Sequence, residues 1–254
     1  MFPLQTFPFT RFSDFVIKTE TVVIDTEPSG PVAAIINEEP GSDALSGNDV
    51  IVGYLNATVE VSPDVRISGI LNEDIIDGAR GRDTIIGSTK VSLDDETYVA
   101  ANGITNNGLI DGGAGSDSIW GKVNLVGGDS ALARLRGIDQ SIFDEEEGEE
   151  GKIDTGDGND SVLGSVNARF GEGAEVFSSG GIRDGEIHTG DGRDAVTGKV
   201  SISAGDGSLV SAEGIEVDYI NTGDGRDAVT GSVVVKVGDE SDASGSNGID
   251  DAVI

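Results

Sequence analysis

The chain contains no cysteine. Disulfides, thiolate metal sites and cysteine nucleophiles are thereby excluded. Proline stops early: the six are Pro3, Pro8, Pro28, Pro31, Pro40 and Pro63, and none follows. A proline-free stretch of that length suits dense tiling by hydrogen-bonded strands, which proline interrupts. Basic residues are scarce, 16 Lys and Arg against 47 Asp and Glu, a formal net charge of −31 over 254 residues. Phosphate backbones and anionic membrane surfaces need a basic footprint, so neither is expected as a partner. No apolar run approaches the ~20 residues of a transmembrane helix, so no membrane insertion is expected. The N-terminus also lacks the basic-then-apolar pattern of a secretory signal peptide. Histidine occurs once, at His188, where sibling segments carry Asp111, Asp154 and Asn221. One His removes HExxH zinc chemistry and any cluster of imidazole ligands.

What the chain does have is repetition. A Gly-x-Asp-x-hydrophobic-x-Gly phrase recurs with its Asp at positions 49, 83, 117, 160, 194 and 227, at spacings of 34, 34, 43, 34 and 33. The one long interval holds an acidic insertion, FDEEEGEEGK, expected to be a solvated loop bulging from one coil. A Gly-Ile pair keeps the same beat at Gly69, Gly103, Gly137, Gly181, Gly214 and Gly248. Self-similarity at a fixed period of this size is the signature of a stacked repeat architecture.

After each Asp, apolar or small residues alternate, as in Ile51, Gly53, Leu55, Ala57, Val59 and again in Val229, Gly231, Val233, Val235, Val237. Period two over that length means a strand with one buried face. A polar turn follows, and a second strand returns through the Gly-Ile pair to the next Asp phrase. The expectation is an all-β, flattened β-solenoid, similar to a parallel β-roll, of about six coils of ~34 residues. A rival arrangement makes each segment a free antiparallel hairpin; even alternation on both arms favours the flat coil. Residues 1–40, rich in Phe and Pro, read as an N-terminal segment distinct from the 41–254 repeat. Val23–Val32 nevertheless looks like a decayed coil start. Residues 1–17 would cap the stack or dock on a neighbouring subunit; both remain open. No capping repeat is evident at the other end, where the chain would stop part-way round a coil.

With its preceding residues the phrase becomes GGAGSDSIW at Gly112–Trp120, TGDGNDSVL at Thr155–Leu163 and TGDGRDAVT at Thr189–Thr197 and Thr222–Thr230. This resembles the nonapeptide GGxGxDxUx of the hemolysin-type, or RTX, calcium-binding repeat family. The 34-residue spacing departs from that family's tandem nonapeptides, so the coil should be larger. The resemblance implies Ca2+ as the bound ion, held in the glycine turns by Asp carboxylates and backbone carbonyls. Carried over to this chain, the ligands would come from Asp49, Asp83, Gly112, Ala114, Asp117, Thr155, Asp157, Asp160, Asp191, Asp194, Asp224 and Asp227. Stacked ~4.8 Å apart, such carboxylates repel, which independently calls for a counter-ion. Against a metal stand two facts. Asp after Gly also caps its own turn, and Arg82, Arg193 and Arg226 put an internal guanidinium in three turns. Family membership also implies export, by type I secretion, to the extracellular space or cell surface. The final DDAVI is similar to RTX export signals.

Enzyme readings find little. No GxSxG elbow is present, and GDSAL at Gly128–Leu132 lies in a repeat turn. Catalysis needs one singular constellation, whereas every acid here has copies. The expected function is therefore a non-enzymatic structural protein, self-assembling head to tail into a filament, sheath or surface layer. The alternatives are a calcium-dependent adhesin or binding module, and the repeat segment of a secreted enzyme. An aromatic strip on one face would favour a binding module; Tyr54, Tyr98, Trp120 and Tyr219 share no register, so none is expected.

Overall fold

The computed structural model describes residues 15–26, 28, 30–37, 42–43, 47–60, 65–140, 150–243 and 246–250. Residues 1–14, residues 141–149 (most of the acidic insertion Phe143–Lys152) and the last residues 251–254 lie outside the described part. All described pairing is parallel, which excludes antiparallel hairpins as the unit, and the register is broken only by a bulge in the back-sheet strand Glu175–Arg183, which shifts against both neighbours. The chain is a β-solenoid of about six turns. Among the described residues there is no helix long and apolar enough to cross a membrane.

Successive coils feed three main sheets, and Arg80–Gly81 pairs with Ala114–Gly115 in a further two-stranded one. A seven-stranded front sheet is built from the strands that follow the Asp phrases: Phe15–Ile24, Val50–Val59, Thr84–Leu93, Ser118–Gly127, Ser161–Arg169, Ala195–Ser203 and Ala228–Lys236. A seven-stranded back sheet carries the Gly-Ile pairs, from Val32–Asn37 to Asn247–Asp250. Strands Phe15–Ile24 and Val32–Asn37 pair in register with the strands of the next coil. The stack thus takes in residues that composition assigns to the N-terminal segment.

The third sheet departs from the two-faced coil expected. After the Gly-Ile pair the chain bends and lays down a strand of only two or three residues, such as Ile75–Asp77, Leu109–Asp111 and Glu186–His188. These form a six-stranded short sheet. The bend is held by asparagine side chains stacked inside the corner. Asn37 Nδ2 donates to Asn72 Oδ1 at 2.7 Å, and Asn72 Nδ2 to Asn106 Oδ1 at 2.7 Å. The same amides reach the Leu109 and Lys152 carbonyls. Buried backbone groups at a corner need such partners, because the strand ladder is interrupted there. At this corner the Gly151 N–H donates to the Gln140 carbonyl at 3.0 Å, so the two ends of the long interval meet.

Two separate cores result. The larger, between front and back sheets, holds Leu55, Val59, Ile67, Val123, Leu135 and their siblings. The smaller is a column of three aliphatic residues per coil, one from each sheet, for example Ile85, Ile104 and Ile110 or Ile119, Ile138 and Ile153. Glycines pinch the two apart. A Cβ on Gly121 would lie 2.0 Å from the Gly137 carbonyl oxygen of the facing sheet, and one on Gly137 would lie 2.2 Å from the Ser165 amide nitrogen. The periodic glycines therefore let two backbones touch where a side chain would force them apart.

The back sheet also holds charges that do not repeat. Arg136 pairs with Asp139 and, at 3.1 Å, with Asp184; Arg183 pairs with Glu213 at 3.1 Å and Glu216 at 2.6 Å. These networks join successive coils through groups that are mostly buried. Their value lies in being complete, since removing one partner strands the other's charge.

Two stability outcomes follow. Gly121→Ala should lower the urea midpoint more than Ile119→Val does, a core truncation worth about 1 kcal/mol. Arg183→Ala should cost about 3 kcal/mol by stranding Glu213 and Glu216. Equal midpoints for Gly121→Ala and the parent would show that the sheets can separate at that level.

Candidate functional site

The Asp phrase folds as a glycine turn linking short sheet to front sheet. In Thr155–Asp160 and its siblings the turn leaves the short sheet and crosses an edge of stacked glycines. The Gly115, Gly158, Gly192 and Gly225 backbones bridge in parallel. Gly113, Gly156, Gly190 and Gly223 have φ of 79°, 68°, 72° and 64°, a left-handed conformation open to glycine. Ala79 occupies the equivalent place with φ 57°.

The phrase Asp then turns inward. Asp49, Asp83, Asp117, Asp160 and Asp194 are all buried, 2–3 % exposed, and Asp227 in the last turn is half-buried. From Asp83 onward, one carboxylate oxygen of each accepts the backbone N–H of the equivalent Asp one coil earlier. The contacts are Asp83 to Asp49 N at 2.7 Å, Asp117 to Asp83 N at 2.7 Å, Asp160 to Asp117 N at 2.7 Å, Asp194 to Asp160 N at 2.8 Å and Asp227 to Asp194 N at 3.0 Å. The column is a carboxylate–amide ladder, and charge-assisted bonds of this kind are among the stronger ones.

The second carboxylate oxygen divides the stack into two kinds of turn. In two turns a Thr five residues earlier donates its hydroxyl to that oxygen, Thr155 to Asp160 Oδ2 at 3.1 Å and Thr189 to Asp194 Oδ2 at 3.1 Å, whereas Thr222 makes no such bond to the half-buried Asp227. Where it is glycine, at Gly78 and Gly112, Oδ2 of Asp83 and of Asp117 is buried with no hydrogen-bond partner among the described residues. A Cβ at Gly78 would come within 2.8 Å of Asp83 Oδ2. Burial raises these acids: Asp83 to about 6, Asp117 to about 7 and Asp160 to about 6, with the backbone hydrogen bonds acting against the rise. Asp194 is raised by the same cause.

The other carried-over positions lie apart from this column. Gly112 and Thr155 are buried beside it, whereas Ala114, Asp157, Asp191 and Asp224 are exposed along the outer edge. Their backbones hold the edge together. The Asp157 carbonyl accepts from Gly115, Asp191 from Gly158 and Asp224 from Gly192, while the Ala114 N–H donates to the Ala79 carbonyl. The register shared by His188, Asp111, Asp154 and Asn221 turns out to be a second acidic column. Asp77, Asp111 and Asp154 stack in register along the short sheet, followed by His188 and Asn221. Asp77 and Asp111 accept the N–H two residues on, at 2.7 and 2.8 Å, and so start the glycine turn. Burial raises Asp111, and the neighbouring Asp77 and Asp154 charges add to the effect. A fixed offset of six residues before the phrase Asp was the available signal.

A hard divalent cation such as calcium takes six to eight oxygen ligands. Among the described residues no three acidic or histidine side chains converge as a ready cage. The donor chemistry fits through the unpartnered buried oxygens of Asp83 and Asp117, together with turn carbonyls. In the turns of Asp160 and Asp194 the threonine hydroxyl already supplies a partner. His188 sits at the edge of the short sheet against Glu186 at 3.2 Å and the Tyr219 ring, a structural place.

The fold and turns define an all-parallel β-solenoid with a buried aspartate ladder along one edge. No family model matches the chain, and no curated protein or solved structure proves significantly similar to it.

The ladder predicts an inverted pH response. A folded-state pKa above the ordinary 3.8 means that, between about pH 4 and about 7, the folded chain keeps protons the unfolded chain has released. In chelator, stability should therefore fall as pH rises through that window, and Asp117→Asn should flatten part of the slope. Urea midpoints at pH 5 and pH 8 read this directly; a midpoint that climbs toward pH 8 in chelator would contradict it.

Proposed function

We propose that this is a non-enzymatic, calcium-binding structural protein of the cell exterior, stacking head to tail into a filament, sheath or surface layer. The observation that carries the calcium reading is the pair of buried, unpartnered carboxylate oxygens at Asp83 and Asp117. A carboxylate ladder with no cation keeps its charges only at a cost, and an oxygen-seeking divalent ion relieves it. Calcium is abundant outside cells, which agrees with the export implied by the RTX resemblance.

Head-to-tail stacking draws its support from the strand edge at the last coil. Ala228–Lys236 pairs with Ala195–Ser203, and among the described residues no strand pairs with its other side. Its inward Val229, Val233 and Val235 are half-buried, against 0–2 % exposure for Val196, Val200 and Ile202 one coil earlier. Unpaired edges of this kind template further pairing.

Calcium titration followed by calorimetry tests the site. Asp117→Asn keeps an amide acceptor and removes the charge, so it should weaken calcium binding at least tenfold. Asp239→Asn, at the opposite edge, should leave it intact. Equal losses in the two variants, or no calcium binding by the parent chain, would overturn the reading. Assembly is read separately by light scattering: the full chain in millimolar calcium should form polymers. A concentrated monomer under those conditions removes the filament and leaves a monomeric binding module.

A further inference from the structure

The acids of this chain avoid one surface. Each of the seven front-sheet strands points five side chains outward, and among these outward positions there is no Asp or Glu. The same positions carry Lys90, Lys122, Arg169, Lys199 and Lys236, all exposed. None of the five forms an ion pair with a described residue. In a protein of net charge −31, such a face is a local reversal of sign. Most of the other outward positions are Ser, Thr, Asn and aliphatic residues.

The cations are in register along the stack. Lys122 lies opposite Ser165, which lies opposite Lys199; Arg169 lies opposite Ser203, which lies opposite Lys236. Each pair is thus two strand spacings apart, ~10 Å. Of the exposed aromatics, Phe15, Tyr54 and Trp120 lie on this face. Trp120 is 42 % exposed, in a row with Ile86 and Val52 on one side and Leu163 on the other, and Tyr54 is 40 % exposed one row over. The two rings share no register, as the sequence implies, yet both lie at odd offsets from their phrase Asp, which puts them on one face. Tyr98 lies instead on the back sheet, stacked on Phe177 at 6.2 Å, and Tyr219 on the short sheet against His188.

We infer that the front sheet binds a linear anionic polysaccharide. Evenly spaced cations meet a charge repeated along a polymer, aromatic faces take sugar rings, and the lattice of Ser, Thr and Asn supplies hydrogen bonds at strand pitch. A flat sheet suits an extended chain better than a globular ligand. Duplex nucleic acid carries one charge per ~1.7 Å, far denser than cations set two strand spacings apart can match. A second copy packed front to front would set five cations against five. The inference goes beyond calcium binding and stacking and does not rest on either.

Trp120 is the only tryptophan, so its fluorescence reports occupancy of this face. The full chain in millimolar calcium is titrated with dextran sulfate and, in parallel, with unmodified dextran. The expected result is a saturable change with dextran sulfate alone, weakened by added salt. Lys122→Ser/Lys199→Ser installs the residue that adjacent coils carry at the same register, so circular dichroism should match the parent while affinity falls at least tenfold. Lys152→Ser, on the short sheet, should bind as the parent does. Equal binding of both dextrans, or unchanged affinity in the double variant, would overturn the inference. So would equally tight binding of polyglutamate, which would make the face a general polyanion surface. Side-by-side dimers of the parent that dissolve in the double variant would assign the face to a second copy.

Discussion

Every coil of this protein sits in parallel on a near-copy of itself, and that single constraint sets the rest. Whatever a residue does at one level it must do directly above and below its own equivalents. Apolar residues then become columns, as Ile104, Ile138 and Ile182 do in the smaller core. Amides become ladders, as in Asn37, Asn72 and Asn106. Charges are the problem case, because a column of like charges repels itself. The chain resolves it differently in each place: by backbone donors for the phrase aspartates, by exposure for Asp157, Asp191 and Asp224, and by alternating partners where Arg136 and Arg183 meet their acids.

The columns also sort the surface. Positions that face outward on the front sheet carry no acid in any coil, while turns and edges carry many. A strongly acidic molecule can thus present a mildly basic face, because stacking repeats a local choice seven times over. Net charge describes how such a molecule meets its surroundings at a distance, and the face describes what it meets at contact.

Much of this was legible in the sequence, for physical reasons. Period-two alternation exposes long strands, and the Asp and Gly-Ile beats fix the coil length and the parallel register. The buried position of Asp83, Asp117 and Asp160 follows from the same parity. The short sheet was not legible: three residues with one inward Ile, such as Ile110 within Leu109–Asp111, are too few to show a period. The asparagine corner depends on contacts 34 residues apart. The role of Gly121 and Gly137 as points of backbone contact required both faces to be placed. Whether a phrase turn is capped by threonine or left open at glycine was visible as letters, but its meaning lay in a hydroxyl reaching a carboxylate five residues on.

The corner between back and short sheets has a property of its own. From the Ile of the Gly-Ile pair to the next phrase Asp the chain takes 13, 13, 22, 12 and 12 residues in successive coils. The Asp ladder is unbroken across the longest of these, with Asp160 still receiving the Asp117 N–H at 2.7 Å. Length is absorbed locally, as slack in a rope taken up at one pulley, and none of it is passed on to the front sheet. The corner is therefore a port: the stack accepts a segment there without losing count. Each coil offers the same port on the same edge, at intervals of about 4.8 Å along the axis. A polymer of such coils would be a ruled scaffold, with addresses at regular marks where unrelated peptide segments could be displayed.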